Sequence, residues 1–227
     1  MKAAFTSWSG GKDCCLACYR ALSSGLDVRY LINMVGESGK RSYSHGLSSS
    51  ILEAQAQAIG ISLIQQRTGR DNYEESFKGL LSSLKKEGVG DGVFGDIDLD
   101  VHREWVERVC TDAAITPHLP LWGQKQEKIL EEFIDLGFIA IVVAARAELF
   151  GREWLGCKVD REFIRELKNL SKSKKITPCG EAGEYHTLVI DGPIFKKRLE
   201  VVRSRRILRD SRWFLSISAA VPRDKRS

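Results

Sequence analysis

No stretch narrows the possible folds of this chain more than its beginning, Lys2 to Arg20, which reads KAAFTSWSGGKDCCLACYR. Ala3, Ala4, Phe5 and Trp8 make a short apolar run, Ser9-Gly10-Gly11-Lys12-Asp13 interrupts it, and Cys14, Leu16, Ala17 and Ala21 return at helical spacing. This pattern predicts a strand, a tight glycine turn and a helix. Adjacent glycines let backbone N–H groups approach a ligand that side chains would hold off, and the free N–H groups at the start of the helix favour an anion. The turn is therefore read as a phosphate cradle. It is not a P-loop, because no glycine closely precedes Gly10 and Asp13 stands where the Mg²⁺-binding hydroxyl belongs. Nor does this turn carry the Gly-x-Gly-x-x-Gly pattern of dinucleotide sites.

Downstream, apolar runs and helical stripes alternate. Residues 28–35 (VRYLINMV) predict a buried second strand, 47–59 a helix ended by Gly60, 61–64 a third strand, and 71–86 a helix with Phe77, Leu80, Leu81 and Leu84 on one face. A short strand is expected at 92–95, then the polar turn Asp96-Ile97-Asp98-Leu99-Asp100 and a helix over 102–114. Such alternation predicts a parallel, Rossmann-like α/β sheet with helices on both faces and ligands at the carboxyl ends of the strands. Asn33-Met34, Ser44-His45 and Gly95-Asp96 would then share one cleft with Gly10-Gly11.

The style changes after Pro117, Pro120 and Trp122. A helix over 126–136, an apolar run over 138–145, a helix from Asp160 to Leu170 capped by that Asp, and two β-like stretches near 199–208 and 213–221 predict a smaller α+β unit. The expected division is 1–122 for the domain that carries the phosphate turn, 123–222 for the smaller α+β domain and 223–227 for a basic tail.

The net charge of +5 is unevenly placed, with eleven Lys and Arg against three acids from Lys196 onward. That basic end is read as a solvated face, with tRNA or ribosome proximity as the alternative. No run of about 18 apolar residues and no signal-peptide pattern is present, so a cytoplasmic protein with no membrane association is expected. Cys14, Cys15, Cys18, Cys110, Cys157 and Cys179 form no disulfide framework.

The turn Ser9-Gly10-Gly11-Lys12-Asp13-Cys14 resembles the Ser-Gly-Gly-x-Asp-Ser loop of the ATP pyrophosphatases, with Cys for the last Ser. Cys179 to Phe195, CGEAGEYHTLVIDGPIF, looks like the Gly-Glu-Gly-Gly-Glu-Tyr-Glu-Thr-Leu-Val-Leu-Asp-Ala-Pro signature of the diphthine–ammonia ligase family. Ser44-His45, Pro120-Leu121-Trp122, Trp154-Leu155-Gly156 and the helix around Arg103–Cys110 resemble further elements of it. The resemblance implies ATP-dependent amidation by ammonia of the diphthine carboxylate on translation elongation factor 2, through an acyl-adenylate.

Roles follow as expectations. Ser9, Gly10, Gly11, Lys12 and Cys14 would hold the ATP phosphates, with Lys12 offsetting charge on the departing pyrophosphate. Asp13 is either a Mg²⁺ ligand or a partner of the helix dipole. The resemblance puts the adenine edge at Asn33 and Met34. Glu181 and Glu184, in a turn with Gly180 and Gly183, either hold and deprotonate ammonium or attract diphthine's trimethylammonium group, with Tyr185, Trp122 or Trp154 as a cation–π wall. His45 and Asp96 are expected beside the substrate, whereas His186, where the family signature has Glu, is expected to be dispensable. A homodimer is left open. Two rival readings are a sulfur-transfer enzyme acting on tRNA through Cys15 and Cys18, and a non-catalytic adenine-nucleotide sensor.

Overall fold

The computed structural model describes residues 2–42 and 46–225. Its first half alternates strand and helix: β1 (Ala3–Ser7), α1 (Lys12–Ser23), β2 (Asp27–Gly36), α2 (Ser49–Ile59), β3 (Ser62–Thr68), α3 (Tyr73–Lys86), β4 (Asp91–Val93), α4 (Asp100–Asp112) and β5 (Thr116–His118). The five strands are parallel and ordered β3-β2-β1-β4-β5. This is the doubly wound arrangement that the alternation predicts. Both faces of β1 are buried, Ala4 in one core cluster and Ala3 and Phe5 in the other, which is why the strand reads as continuously apolar. β5 was not expected; it has three residues and contains Pro117, too short and too proline-marked to announce itself.

The second half is built from α5 (Gln126–Asp135), β6 (Ile139–Arg146), α6 (Arg161–Leu170), β7 (Tyr185–Asp191), β8 (Arg198–Arg209) and β9 (Arg212–Arg223). Its strands form a separate antiparallel sheet ordered β7-β6-β9-β8. Asp160 caps α6 as expected, its Oδ1 accepting from Phe163 N at 2.9 Å. The expected basic tail begins inside β9, and Lys225 is tied back to the Gly192 carbonyl at 2.9 Å and to Asp191 at 3.0 Å.

The helices α1 and α2 lie between the two sheets. Leu16, Ala17 and Cys18 of α1 and Leu52 of α2 belong to the same buried cluster as Ala140, Val142 and Val143 of β6 and Leu188 of β7. A second cluster on the far face of the first sheet joins Phe5, Ile32 and Phe94 to Phe77 and Leu81 of α3 and Val109 of α4. Because α1 is shared, its first turn is covered by β7, and residues from both sheets converge there. Among the described residues no helix is long and apolar enough to cross a membrane.

Candidate active site

The order of strands reverses between β1 and β4, so the loops after them diverge and leave a crevice at the sheet's carboxyl edge. The turn after β1 occupies it. Gly10 holds φ at +80°, and a Cβ there would come within 2.6 Å of Leu52 and 2.8 Å of Gln55, so backbone conformation and packing both exclude a side chain. From the other side, Gly95 brings the loop after β4 against the start of α1: a Cβ would stand 2.9 Å from Asp13 C and Cys14 N.

The remaining wall comes from the second sheet. Its turn at 179–184 and the start of β7 lie over α1, where Thr187 Oγ1 accepts from Lys12 N at 3.1 Å and Gly10 O accepts from Val189 N at 2.9 Å. Gln55 donates to both Gly10 O (3.0 Å) and Val189 O (2.7 Å), binding α2 to the same junction. The result is a cleft of about 300 Å³. Ser9, Lys12, Asp13, Cys14, Asn33, Met34, Asp96, Gly180, Glu181, Gly183 and Tyr185 are among its lining, so most of the residues singled out from sequence meet in one place.

Electrostatics sharpen the site. Lys12 is 3% exposed; its Nζ lies 2.8 Å from Asp13 Oδ2, donates to the Cys179 carbonyl, and sits 5.2 Å from the Tyr185 ring centre. Burial is the largest single effect and opposes its charge, but its acidic neighbours, Asp13 first and then Tyr185 and Cys179, together outweigh that and hold the ammonium protonated well above the ordinary lysine value. Burial pushes the Asp13 carboxyl up, against the pull of Lys12. Glu181, half-buried, rises from 4.5 to about 7, first through desolvation and then through the charges of Asp13, Asp96 and Asp98, with Lys12 opposing. A carboxyl group with that value exchanges its proton near neutrality.

Several expected residues stand elsewhere. Gly10 and Gly11 shape the turn behind the lining, and Gly11 N donates to Ser9 Oγ at 3.3 Å. Glu184 turns inward instead of facing the cleft: it is 2% exposed, and its Oε1 accepts from Thr177 N at 2.6 Å, so it ties the turn together. Trp154 packs against Phe150 and Phe163 in the core. Trp122 lies under the Arg103 guanidinium at 5.2 Å, outside the cleft lining. Asn33 uses its amide on Trp8 O at 2.7 Å and Ser42 Oγ at 3.3 Å, leaving its buried Oδ1 unpaired. Ser44 and His45 lie outside the described residues.

The cleft also holds residues not singled out, namely Tyr73, His102 and Thr187, as well as His186, which was expected to be dispensable. Thr187 had a signal, since it alternates with Tyr185 on one face of a strand. His102 had none: its Nδ1 lies 3.3 Å from Asp96 Oδ1 only because α4 starts beside that loop, and the Asp96 contact raises its pKa. Cys15 and Cys18, the pair on which sulfur chemistry would depend, are fully buried in α1. Burial pushes both thiols up, Cys18 to about 12, which disfavours reactive thiolates.

The donor set fits nucleotide and Mg²⁺ in one respect that the sequence could not reveal. Among the described residues Asp13 Oδ1 is buried with no hydrogen-bond partner, a carboxylate oxygen beside the glycine turn that a cation would satisfy. Among the described residues no group of three His, Cys, Asp or Glu side chains is arranged to hold a metal alone. A single carboxylate completed by phosphate oxygens matches the usual manner of Mg²⁺ at nucleotides.

The diphthamide synthase N-terminal domain matches residues 1–117, and the diphthamide synthase C-terminal domain matches residues 125–222. The chain belongs to the diphthamide synthase family. The diphthine–ammonia ligase of Schizosaccharomyces pombe is 32% identical over 210 residues, 84% of this chain and 34% of that protein, so the chain spans about a third of its length. The diphthine–ammonia ligase of Danio rerio is 28% identical over 236 residues, covering 92% of this chain and 90% of the relative. That of Homo sapiens is 29% identical over 232 residues, 92% and 86%. These relatives are ligases. A solved structure from Methanocaldococcus jannaschii, described as a predicted subunit of tRNA methyltransferase, superposes with a TM-score of 0.50 over 85% of this chain and 98% of its own, at 17% identity, and shows the shared fold.

Proposed function

We propose that this family member catalyses the ATP-dependent amidation of the diphthine carboxylate on translation elongation factor 2, with ammonia as nitrogen donor, giving diphthamide, AMP and pyrophosphate through an acyl-adenylate. The observation that carries the reading is the meeting of the Ser9-to-Cys14 turn with Glu181 in one cleft. The turn supplies a helix N-terminus and a buried cation for phosphates, and beside them stands a carboxyl group with a pKa of about 7.

A free carboxylate resists amidation because its charge repels nucleophiles and oxide is a poor leaving group; transfer of AMP to it removes both obstacles. In this reading Ser9 and the backbone of the turn orient the phosphates, and Lys12 offsets the charge that grows on the departing pyrophosphate. Asp13, through its unpaired Oδ1, would hold Mg²⁺, which when bound neutralises phosphate charge. The end of β2 at Asn33 and Met34 takes the adenine edge. Glu181 accepts the proton that ammonium must lose before it attacks. Asp96, together with Glu181, gives the acceptor's trimethylammonium group an acidic surface, and the Tyr185 ring, already facing Lys12, is a rigid wall for it. A translation factor as acceptor makes the cytoplasm the setting of the reaction.

The test is incubation of diphthine-bearing elongation factor 2 with ATP, Mg²⁺ and ammonium, followed by mass spectrometry of the modified peptide. Conversion of carboxylate to amide, dependent on ATP and lost in Glu181→Gln, is the expected result. An unchanged peptide in the presence of ATP-binding protein would remove this acceptor from the account.

A further inference from the structure

One corner of the second sheet gathers positive charge that the site so far described does not use. β6 and β9 pair Arg146 with Arg212, and β8 places Arg209 opposite Arg212. Residues paired across adjacent strands carry their side chains on one face, so the guanidinium groups are neighbours and repel one another. Their counter-charges are few. Arg146 Nη2 donates to Ala182 O at 2.6 Å while Arg146 Nη1 comes no nearer than 4.0 Å to Glu148, and Arg209 lies over the Phe214 ring at 5.3 Å with Asp210 at 3.4 Å. Among the described residues Arg212 has no ion-pair partner and its buried Nη1 has no acceptor. Burial, and then the charge of Arg146, lower its pKa from the ordinary arginine value. A buried guanidinium N–H left unpaired is costly, and such a group is normally satisfied when its ligand is present.

This corner adjoins the cleft. Gly183 lines the cleft, and a Cβ built on it would stand 3.8 Å from Arg146 Nη2 and 3.9 Å from Arg212 Nη2. His186, also in the lining, pairs with Ala144, two residues before Arg146 on β6. On the opposite wall Lys12 shares its charge with Asp13 at 2.8 Å, so a triphosphate would keep negative charge there even with Mg²⁺ bound.

We propose that Arg146 and Arg212 form an oxyanion subsite for the distal phosphates of the nucleotide, holding the β and γ phosphates of ATP and then the pyrophosphate. The proposal rests on the nucleotide reading above. Two guanidinium forks match the charge and the oxygen geometry of a phosphate dianion, whereas one carboxylate would leave a second arginine uncompensated. The second sheet would thereby contribute directly to nucleotide binding, and release of pyrophosphate would vacate the arginines.

The experiment is calorimetric titration of the full chain with ATP, AMP and inorganic pyrophosphate in the presence of Mg²⁺, for wild type, Arg212→Gln, Arg212→Lys and Arg205→Gln. Arg205 lies on β8 of the same hairpin, opposite Ser216, and serves as a control for bulk charge. Arg212→Gln is expected to weaken ATP and pyrophosphate about tenfold or more, with AMP unchanged, Arg212→Lys intermediate and Arg205→Gln like wild type. Equal binding of ATP and pyrophosphate by wild type and Arg212→Gln would overturn the subsite and leave the nucleotide reading standing, as would an equal loss of AMP. Arg212-dependent binding of pyrophosphate by a protein that takes up neither ATP nor AMP would sink the nucleotide reading and keep an anion site. Binding of none of the three by the folded wild type would remove both.

Discussion

Replacing Glu181 by Gln should make the protein more stable and less active, and the stability gain should depend on pH. The carboxyl value rises from 4.5 to about 7 in the folded chain, mainly by desolvation and then by Asp13, Asp96 and Asp98. Because the folded value is the higher one, the folded state binds more protons than the unfolded state between those values, and stability falls as pH rises through that window. Below about pH 4.5 the group is neutral in both states and contributes nothing; above about pH 7 it is charged in both, and the full penalty for the folded state is present. A tenfold change in proton affinity is worth about 1.4 kcal/mol, so the rise at Glu181 amounts to ~3 kcal/mol. Water reaching the half-buried side chain screens part of that, leaving about 2 kcal/mol. Gln imitates the neutral acid at every pH. Urea unfolding of wild type and Glu181→Gln should therefore differ little at pH 4.5, with the variant more stable by about 2 kcal/mol at pH 8, while amide formation falls about a hundredfold or more. A stability difference that is flat with pH, or a variant less stable at pH 8, would overturn this description of Glu181.

Three further substitutions follow, two at the junction that builds the cleft and one outside it. Gly95→Ala forces a Cβ to within 2.9 Å of the Asp13 and Cys14 backbone, so a loss of about 1–3 kcal/mol in thermal or urea unfolding is expected, together with weaker ATP binding. Thr187→Val removes the acceptor of Lys12 N and should cost about 1–3 kcal/mol in urea unfolding, with reduced ATP affinity because the first turn of α1 loses its support on β7. Asp160→Ala removes the cap of α6, which is not part of the cleft lining; about 1 kcal/mol of stability should be lost with turnover per folded molecule unchanged, measured by urea unfolding alongside an activity assay.

Much of the fold was legible because its signals are local. The glycine turn, the Leu47-to-Gly60 stripe and the Asp160 cap each follow from constraints acting within a few residues, and the structure carries α2 to Ile59 and α6 from Arg161 accordingly. The sharing of α1 and α2 between two sheets was not legible, because it depends on which apolar faces meet at long range. The same limit explains the site. That Lys12, Asp13 and Glu181 belong to one cleft could be read because glycine-rich turns mark themselves, but which acid of the 181–184 turn faces the cleft is decided by Thr177 N, which takes Glu184 inward. Trp122 or Trp154 was expected, as an alternative to Tyr185, to supply an aromatic wall, yet one is covered by Arg103 and the other is packed among Phe150 and Phe163. The arginines 146 and 212 are far apart in sequence and become neighbours only through the pairing of β6 with β9.

The decisive measurement is the fate of α-labelled ATP with Mg²⁺, ammonium and diphthine-bearing elongation factor 2, for wild type and for Lys12→Met, which keeps the length of the buried stem. Label should appear as AMP only when the factor is present, with a loss of about a hundredfold or more in Lys12→Met, nucleotide binding and folding being checked in parallel. Label appearing as ADP, or AMP formation indifferent to Lys12, would rule out adenylation of the acceptor at this cleft.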